Sequence, residues 1–180
     1  MKDTILFGDC RETLSQIDEK VRMCVTSPPY YGLRNYGDES NQIGQEDTPE
    51  EYIQNLVNIF RSVRNCLTDD GTLWVNIGDS YYNYRPGKGQ ALVQQTVATN
   101  KQDLPDKCAR RGNKLEGLKE KDLIGIPWML AFALRADGWH LRQDIIWHKP
   151  NPMPESVKDR CTKSHEYLFL LSKNKRYYYD

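Results

Sequence analysis

The stretch Val21-Arg22-Met23-Cys24-Val25-Thr26-Ser27-Pro28-Pro29-Tyr30 places a rigid polar turn directly after an apolar run. The run predicts a strand. Proline fixes φ and removes a backbone donor, so two successive prolines hold the neighbouring carbonyl groups in one orientation. Those carbonyls and the Ser27 hydroxyl can accept hydrogen bonds from an amino group, and Tyr30 offers a ring on which a planar molecule can stack. A nucleobase flipped out of a duplex presents such an amine on a flat ring.

A simpler interpretation of this turn is a loop in which two prolines end a strand and Tyr30 is a half-buried aromatic residue. For an isolated Ser-Pro-Pro-Tyr sequence, this is the stronger interpretation. The apolar strand before the turn and the glycine- and tyrosine-rich residues 31–37 after it favour a binding site instead.

The rest of the chain predicts an alternation of strands and helices. The predicted strands are residues 4–7, 21–26, 72–78 and 139–147, and the predicted helices are residues 10–17, 49–68 and 126–137. A terminal hairpin is predicted from residues 166–172 and 176–179. The helix at Pro49 begins with the capping box Thr48–Glu51. This order predicts an α/β fold in a single domain of residues 1–180, with a sheet that ends in a β-hairpin.

Residues 80–122 form a long polar segment without sustained periodicity, which predicts a mobile basic loop inserted in the domain. The whole chain has 25 basic and 25 acidic residues. Between Arg85 and Lys121, however, nine basic and four acidic residues give a net charge of +5. This charge is consistent with a loop that contacts phosphate groups, and it is equally consistent with a solvated loop that binds nothing.

The cysteine and histidine residues predict neither disulfides nor a metal site. Five cysteines are scattered without a C-x-x-C pair, and the three histidines are far from zinc-binding spacing. The sequence has no signal peptide and no apolar run long enough to span a membrane. We therefore expect a protein of the reduced cytoplasmic compartment, with neither a metal nor a membrane partner.

Residues Ser27 to Tyr30 resemble the (Asp/Asn/Ser)-Pro-Pro-(Tyr/Phe/Trp) motif of the DNA amino-methyltransferases. Further blocks resemble those of the β-class of this family, in the order that class uses, and these blocks are residues 5–10, 67–79, 138–151 and 164–171. The resemblance covers nearly the whole chain except residues 84–120. It implies part of the Rossmann-like sheet of S-adenosylmethionine-dependent methyltransferases.

The resemblance also implies a reaction. In this family a methyl group passes from S-adenosylmethionine to the exocyclic amine of a base in double-stranded DNA, here host or phage DNA in a restriction-modification setting. Ser27, Pro28, Pro29 and Tyr30 are then the catalytic residues. Serine rather than aspartate at position 27 implies N4 of cytosine, with N6 of adenine as the alternative. A methyltransferase acting on a protein or RNA amide is a further alternative, but such enzymes normally carry Asn before the prolines.

Several charged residues are candidate ligand contacts. The family's Gly-Asp element places Asp9 near the cofactor, although Asp9 can equally cap the helix that follows it. The candidate DNA-binding residues are Arg34, Arg110, Arg111 and Lys149. Each of these is also suited to a solvated surface position.

One element of the family is absent from this sequence. Members of the class carry a glycine-rich Phe-x-Gly-x-Gly-like loop after the hairpin, where the backbone approaches the methionine end of the cofactor. Its absence motivates a further alternative to the active methyltransferase, which is a truncated or split enzyme that is inactive alone. A complementing chain that carries the glycine-rich motif is then an expected partner.

Overall fold

The structure is a computed structural model that describes residues 3–33, 42–82 and 115–180, together with the backbone of residues 90–91 and 109–110. The helices are α1 (Cys10–Thr13), which continues into the 3-10 turn Leu14–Gln16, α2 (Pro49–Cys66) and α3 (Ile126–Ala136). The strands are β1 (Val21–Thr26), β2 (Leu67–Ile77), β3 (Gln90–Ala91), β4 (Ala109–Arg110), β5 (His140–His148) and β6 (His165–Ser172).

A four-stranded mixed sheet organises these elements, in the order β1-β2-β6-β5. Strands β1 and β2 are parallel and are connected through α2, whereas β6 runs antiparallel to both β2 and β5. Helices α2 and α3 contact each other, and their apolar residues join those of the sheet in one core. The predicted α/β class is confirmed.

Helix α2 forms where its capping residues predict it. The Thr48 side chain accepts a hydrogen bond from the Glu51 backbone nitrogen at 3.2 Å, and Pro49 occupies the first turn. Its buried residues recur at helical spacing and include Tyr52, Leu56 and Phe60. The helix therefore packs one continuous apolar stripe against the sheet.

The two faces of the sheet differ in how far their side chains are buried. Leu73, Val75 and Ile77 of β2 belong to the core with the helices and are at most 1% exposed. Met23 and Val25 of β1 lie on the opposite face, where Val25 pairs in register with Trp74. These two side chains are 56% and 66% exposed, so this face is open at β1.

Two predicted strands are wrong. Thr4–Phe7 belongs to no strand of the described sheets, and the Ile5 and Phe7 side chains are 76% and 89% exposed. Residues 176–179 are likewise not a strand, so the predicted terminal hairpin does not form. An apolar run becomes a strand only where a neighbouring strand completes its hydrogen bonds.

Strand β6 instead lies between β2 and β5, and the final residues turn back over β2. The Tyr178 backbone nitrogen donates to the Asp70 carbonyl at 3.1 Å, and the Arg22 guanidinium lies 5.3 Å from the centre of the Tyr178 ring. Strand β2 also begins at Leu67 rather than at residue 72, because Leu67 pairs with Val21 of β1, and residues 68–71 lie in an irregularity of the register before Thr72 pairs with Met23.

A short ribbon joins the two ends of the predicted loop. Tyr81 bridges Leu123 in antiparallel fashion. The Tyr82 nitrogen donates to the Asp122 carbonyl and the Lys121 nitrogen to the Tyr82 carbonyl, both at 2.8 Å. Between these ends, β3 and β4 pair antiparallel, and residues 83–89, 92–108 and 111–114 lie outside the described part of the chain.

Candidate active site

The Ser-Pro-Pro-Tyr turn lies at the carboxyl end of β1. Because β1 and β2 are parallel, the carboxyl end of β2 lies beside it and brings Asn76 close to the turn. Strand β6 is antiparallel, so its first residues, including Glu166, reach the same edge. Ligand sites of open α/β sheets commonly lie at this edge.

A hydrogen-bond network joins the turn to these neighbours. The Tyr30 hydroxyl lies 3.0 Å from Asn76 Oδ1 and 3.0 Å from Glu166 Oε2. The Ser27 hydroxyl lies 3.5 Å from the same Asn76 oxygen. Asn76 Nδ2 donates to the Tyr167 carbonyl at 3.3 Å, which directs the oxygen of the amide toward the turn. Ser27 itself is exposed.

Helix α2 supports the turn from the buried side. The hydroxyl of Tyr52, whose side chain is fully buried, donates to the Pro29 carbonyl at 2.7 Å. Pro28 is buried as well. The turn is therefore anchored to the core through its prolines, while Ser27 remains accessible.

Two glycines allow close approach to Tyr30. A Cβ atom at Gly78 would lie 2.5 Å from Tyr30 Cε2, so only glycine fits beside this ring. Gly44 has φ +89°, and a Cβ there would lie 2.9 Å from the Tyr30 carbonyl oxygen. The Gly32 nitrogen also donates to the Gly44 carbonyl at 2.8 Å. Residues 43–46 thus brace the loop that follows the turn.

The protonation states in this network are set by burial and by Lys149. Burial, with a contribution from the charge of Glu166, raises the pKa of Tyr30 to about 12, so its hydroxyl remains a donor. Burial would raise the pKa of Glu166. Hydrogen bonds from Lys149 and Tyr30 outweigh burial and lower this pKa, so Glu166 is a charged acceptor.

The structure places the other candidate residues as follows. Lys149 forms an ion pair with Glu166 Oε1, so this predicted DNA contact lies within the network. Asp9 caps α1 by accepting from the Arg11 nitrogen at 2.8 Å, and its carboxylate pairs with the Arg11 guanidinium. Arg34 and Arg111 lie outside the described residues, and only the backbone of Arg110 is described, in β4. The ligand contacts of these residues stay predictions.

Sequence reasoning missed Asn76, Glu166, Tyr52 and Gly78 as parts of the site. Asn76 is a polar residue in the middle of the apolar run 73–77, and that position was the available signal. Glu166 stands at the start of a strand and gives no comparable signal. Which strand ends share an edge depends on the sheet order, so these residues could not be grouped from the sequence.

Asp79, directly after this edge, holds the start of α3. Its carboxylate accepts from the Gly125 nitrogen at 3.0 Å and from the Ile126 nitrogen at 3.1 Å. Burial raises the pKa of Asp79, although these hydrogen bonds oppose the shift. Asp79 is therefore a capping residue that fixes α3 against the sheet.

Within the described ranges, no group of three or more His, Cys, Asp or Glu side chains is arranged to hold a metal ion. In the same part of the chain, no helix has the length and apolar character needed to cross a membrane.

Residues 21–180 match the family model described as DNA methylase. The match covers the turn, the network and every strand of the four-stranded sheet. This chain belongs to the DNA methylase family, and the resemblance inferred from the Ser-Pro-Pro-Tyr turn is confirmed.

Curated relatives point the same way. The chain is 55% identical over 177 residues to the Type II methyltransferase M.SmaI of Serratia marcescens, covering 98% of this chain and 58% of the relative. It is 52% identical over 178 residues to the Type II methyltransferase M.Cfr9I of Citrobacter freundii, covering 98% and 56%. The chain thus spans little more than half the length of these relatives.

Solved structures share the fold. The Thermus thermophilus protein TTHA0409, a putative DNA modification methylase complexed with S-adenosyl-L-methionine, matches with a TM-score of 0.60 and 21% identity, over 96% of this chain and 54% of that one. The PvuII DNA methyltransferase, described as cytosine-N4-specific, matches with a TM-score of 0.60 and 16% identity, over 94% and 49%. These matches confirm the Rossmann-like methyltransferase sheet.

Proposed function

We propose that this chain forms the base-binding side of a Type II DNA methyltransferase that transfers a methyl group from S-adenosylmethionine to N4 of cytosine. The observation that carries the proposal is the exposed Ser27 hydroxyl, held beside Asn76 Oδ1 on a turn anchored by Tyr52. Family membership and the Type II relatives support the reaction class and the DNA substrate.

The arrangement suits an amine that is a poor nucleophile because its lone pair is delocalised into the ring. A hydroxyl donates one proton, and Asn76 Oδ1 accepts that of Ser27. The lone pairs of Ser27 then face the amine and accept one N–H, while the Pro28 carbonyl accepts the other. These hydrogen bonds favour a pyramidal nitrogen with a localised lone pair. Tyr30 supplies the stacking surface that orients the base.

S-adenosylmethionine, when bound, supplies an electrophilic methyl group on a sulfonium. Asp9 is the one residue for which the sequence predicts contact with it, and its carboxylate is held by Arg11. The geometry of the described residues thus supports the proposed contacts on the amine side of the reaction.

The exposed face of the sheet at β1 favours the view that further polypeptide packs against this domain in the complete enzyme. Strand β1 has one neighbouring strand among those described, and Met23 and Val25 are exposed on it. The matched region spans 58% and 56% of the two relatives. The alternative that this observation favours is a split enzyme, in which a complementing segment or chain covers this face and completes the cofactor site and the present chain is inactive without it.

Nucleoside analysis tests the target atom. DNA, RNA and protein are incubated together with the chain and labelled S-adenosylmethionine, and the products are separated by mass spectrometry. We expect label in DNA as N4-methylcytosine. N6-methyladenine would shift the proposal to the alternative base, and label in RNA or protein would overturn it.

Calorimetric titration with S-adenosylmethionine tests the need for a complement. Absence of binding at micromolar ligand concentrations by the chain alone would favour the split enzyme. Micromolar affinity would show that the described chain carries its own cofactor site. Ser27→Ala is the matched variant, because it removes the amine contact without touching the cofactor side.

A further inference from the structure

The Tyr30 hydroxyl has one proton and two acceptors at equal distance. Asn76 Oδ1 and Glu166 Oε2 both lie at 3.0 Å, and Ser27 also points to the Asn76 oxygen, at 3.5 Å. If Tyr30 donates to Asn76, it shares that oxygen with Ser27, and the two hydroxyls together occupy both of its lone pairs. If it donates to Glu166, the amide oxygen is left to Ser27.

Charge decides between these two acceptors. A carboxylate is a stronger acceptor than a neutral amide oxygen. Lys149 holds Glu166 through Oε1, which leaves Oε2 directed at Tyr30. Glu166 has a side chain 21% exposed, so water screens this pair less than it would a surface pair. The Tyr30 proton therefore points to Glu166.

We infer that Glu166 and Lys149 are positioning residues for the proposed methyl transfer. Glu166 accepts the hydrogen bond of the Tyr30 hydroxyl, which fixes the stacking ring and leaves Asn76 Oδ1 to Ser27. Lys149 fixes Glu166 and keeps it charged. This inference rests on the proposed function, and it assigns Lys149 to the network rather than to a DNA phosphate.

The variants Glu166→Gln and Lys149→Met test the pair, with Lys149→Arg as the conservative rescue. The matched control is Lys173→Met, because Lys173 forms an ion pair with Asp69 at 3.2 Å beyond the far end of the same strand. We expect Glu166→Gln and Lys149→Met to lower kcat about tenfold or more with the KM for DNA within about twofold, since the contact acts on the reacting geometry. Lys149→Arg should retain most of the activity.

A double-mutant cycle with Tyr30→Phe separates positioning from general stabilisation. If Glu166 acts through the Tyr30 hydroxyl, Glu166→Gln should add little to the loss already caused by Tyr30→Phe. Fully additive losses, or losses in Glu166→Gln and Lys149→Met no larger than in Lys173→Met, would overturn the inference. A phosphate-contacting Lys149 would instead raise the KM for DNA with strong salt dependence, which also overturns it.

A second readout does not depend on activity. Tyrosine labelled with ¹³C at Cζ reports the hydrogen bond of its hydroxyl, and Tyr30→Phe assigns the signal. We expect the Tyr30 signal to shift in Glu166→Gln and to stay in place in Lys173→Met; an unchanged signal in Glu166→Gln overturns the inference. If the wild-type chain methylates nothing while this shift is present, the proposed function fails and the positioning contact stands.

Discussion

The two faces of the sheet differ in burial and in the kind of side chain they carry. On the helix face, Leu73 and Ile77 are fully buried and pack with α2 and α3. On the open face, Met23 and Val25 are more than half exposed, and Asn76 and Glu166 join Ser27 and Tyr30 at one edge. One side of β2 therefore stabilises the fold, while the other contributes Asn76 to the candidate site. The difference predicts that substitutions on the two faces will separate stability from chemistry.

The largest loss of stability is expected from shortening a side chain that packs against the helices. Leu73→Ala should lower the free energy of unfolding by about 2–5 kcal/mol, because a fully buried leucine leaves a cavity. Val25→Ala, on the neighbouring strand but 66% exposed, should cost less than about 1 kcal/mol. Urea denaturation of both variants measures the comparison. Equal losses would mean that the open face is also covered.

A methyl group at Gly78 should disturb the site and the core together. In Gly78→Ala the new Cβ meets the Tyr30 ring at 2.5 Å, and such overpacking costs about 1–3 kcal/mol. We also expect the base-stacking surface to move, and so methylation to fall more than stability predicts. Gly117→Ala is the control, since a Cβ there has no neighbour within 4 Å and only the strain of φ +83° remains. Activity normalised to the folded fraction distinguishes the two.

Tyr52→Phe should loosen the turn from the helix side without making a cavity. The lost hydrogen bond to the Pro29 carbonyl is expected to cost about 1 kcal/mol. Because the same carbonyl belongs to the turn, kcat should also fall. Thermal unfolding and initial rates measure both effects. A variant with wild-type rates would show that the prolines alone hold the turn.

The smallest effect should appear in the pH dependence of stability. The pKa of Glu166 is lower in the folded chain than in the unfolded chain, so its contribution is present above the unfolded pKa of roughly 4.3 and is lost as the pH falls through the folded value. Urea midpoints between about pH 6 and pH 3 should therefore decline less steeply in Glu166→Gln than in the wild type. An identical slope would contradict a charged Glu166.

Local signals in the sequence predicted most elements well. Thr48 and Glu51 predicted the start of α2, and this prediction is confirmed. Strand β1 and helix α3 also form where their apolar patterns predicted them. Thr4–Phe7 and residues 176–179 were wrong as strands, because pairing depends on partners that a local pattern does not contain. The same limit explains why Ser27 and Tyr30 were predicted as candidate site residues whereas Glu166 was not.

The sequence by itself determined the chemistry that the turn can offer, because Ser-Pro-Pro-Tyr sets its own backbone and carries its own acceptor and ring. Only the tertiary structure decided how that turn is held. The order β1-β2-β6-β5 places Asn76 and Glu166 beside it, although they lie 49 and 136 residues away from the groups they contact. Sheet pairing brings together residues that are distant along the chain, and the direction of each hydroxyl proton follows from the acceptors that this pairing supplies.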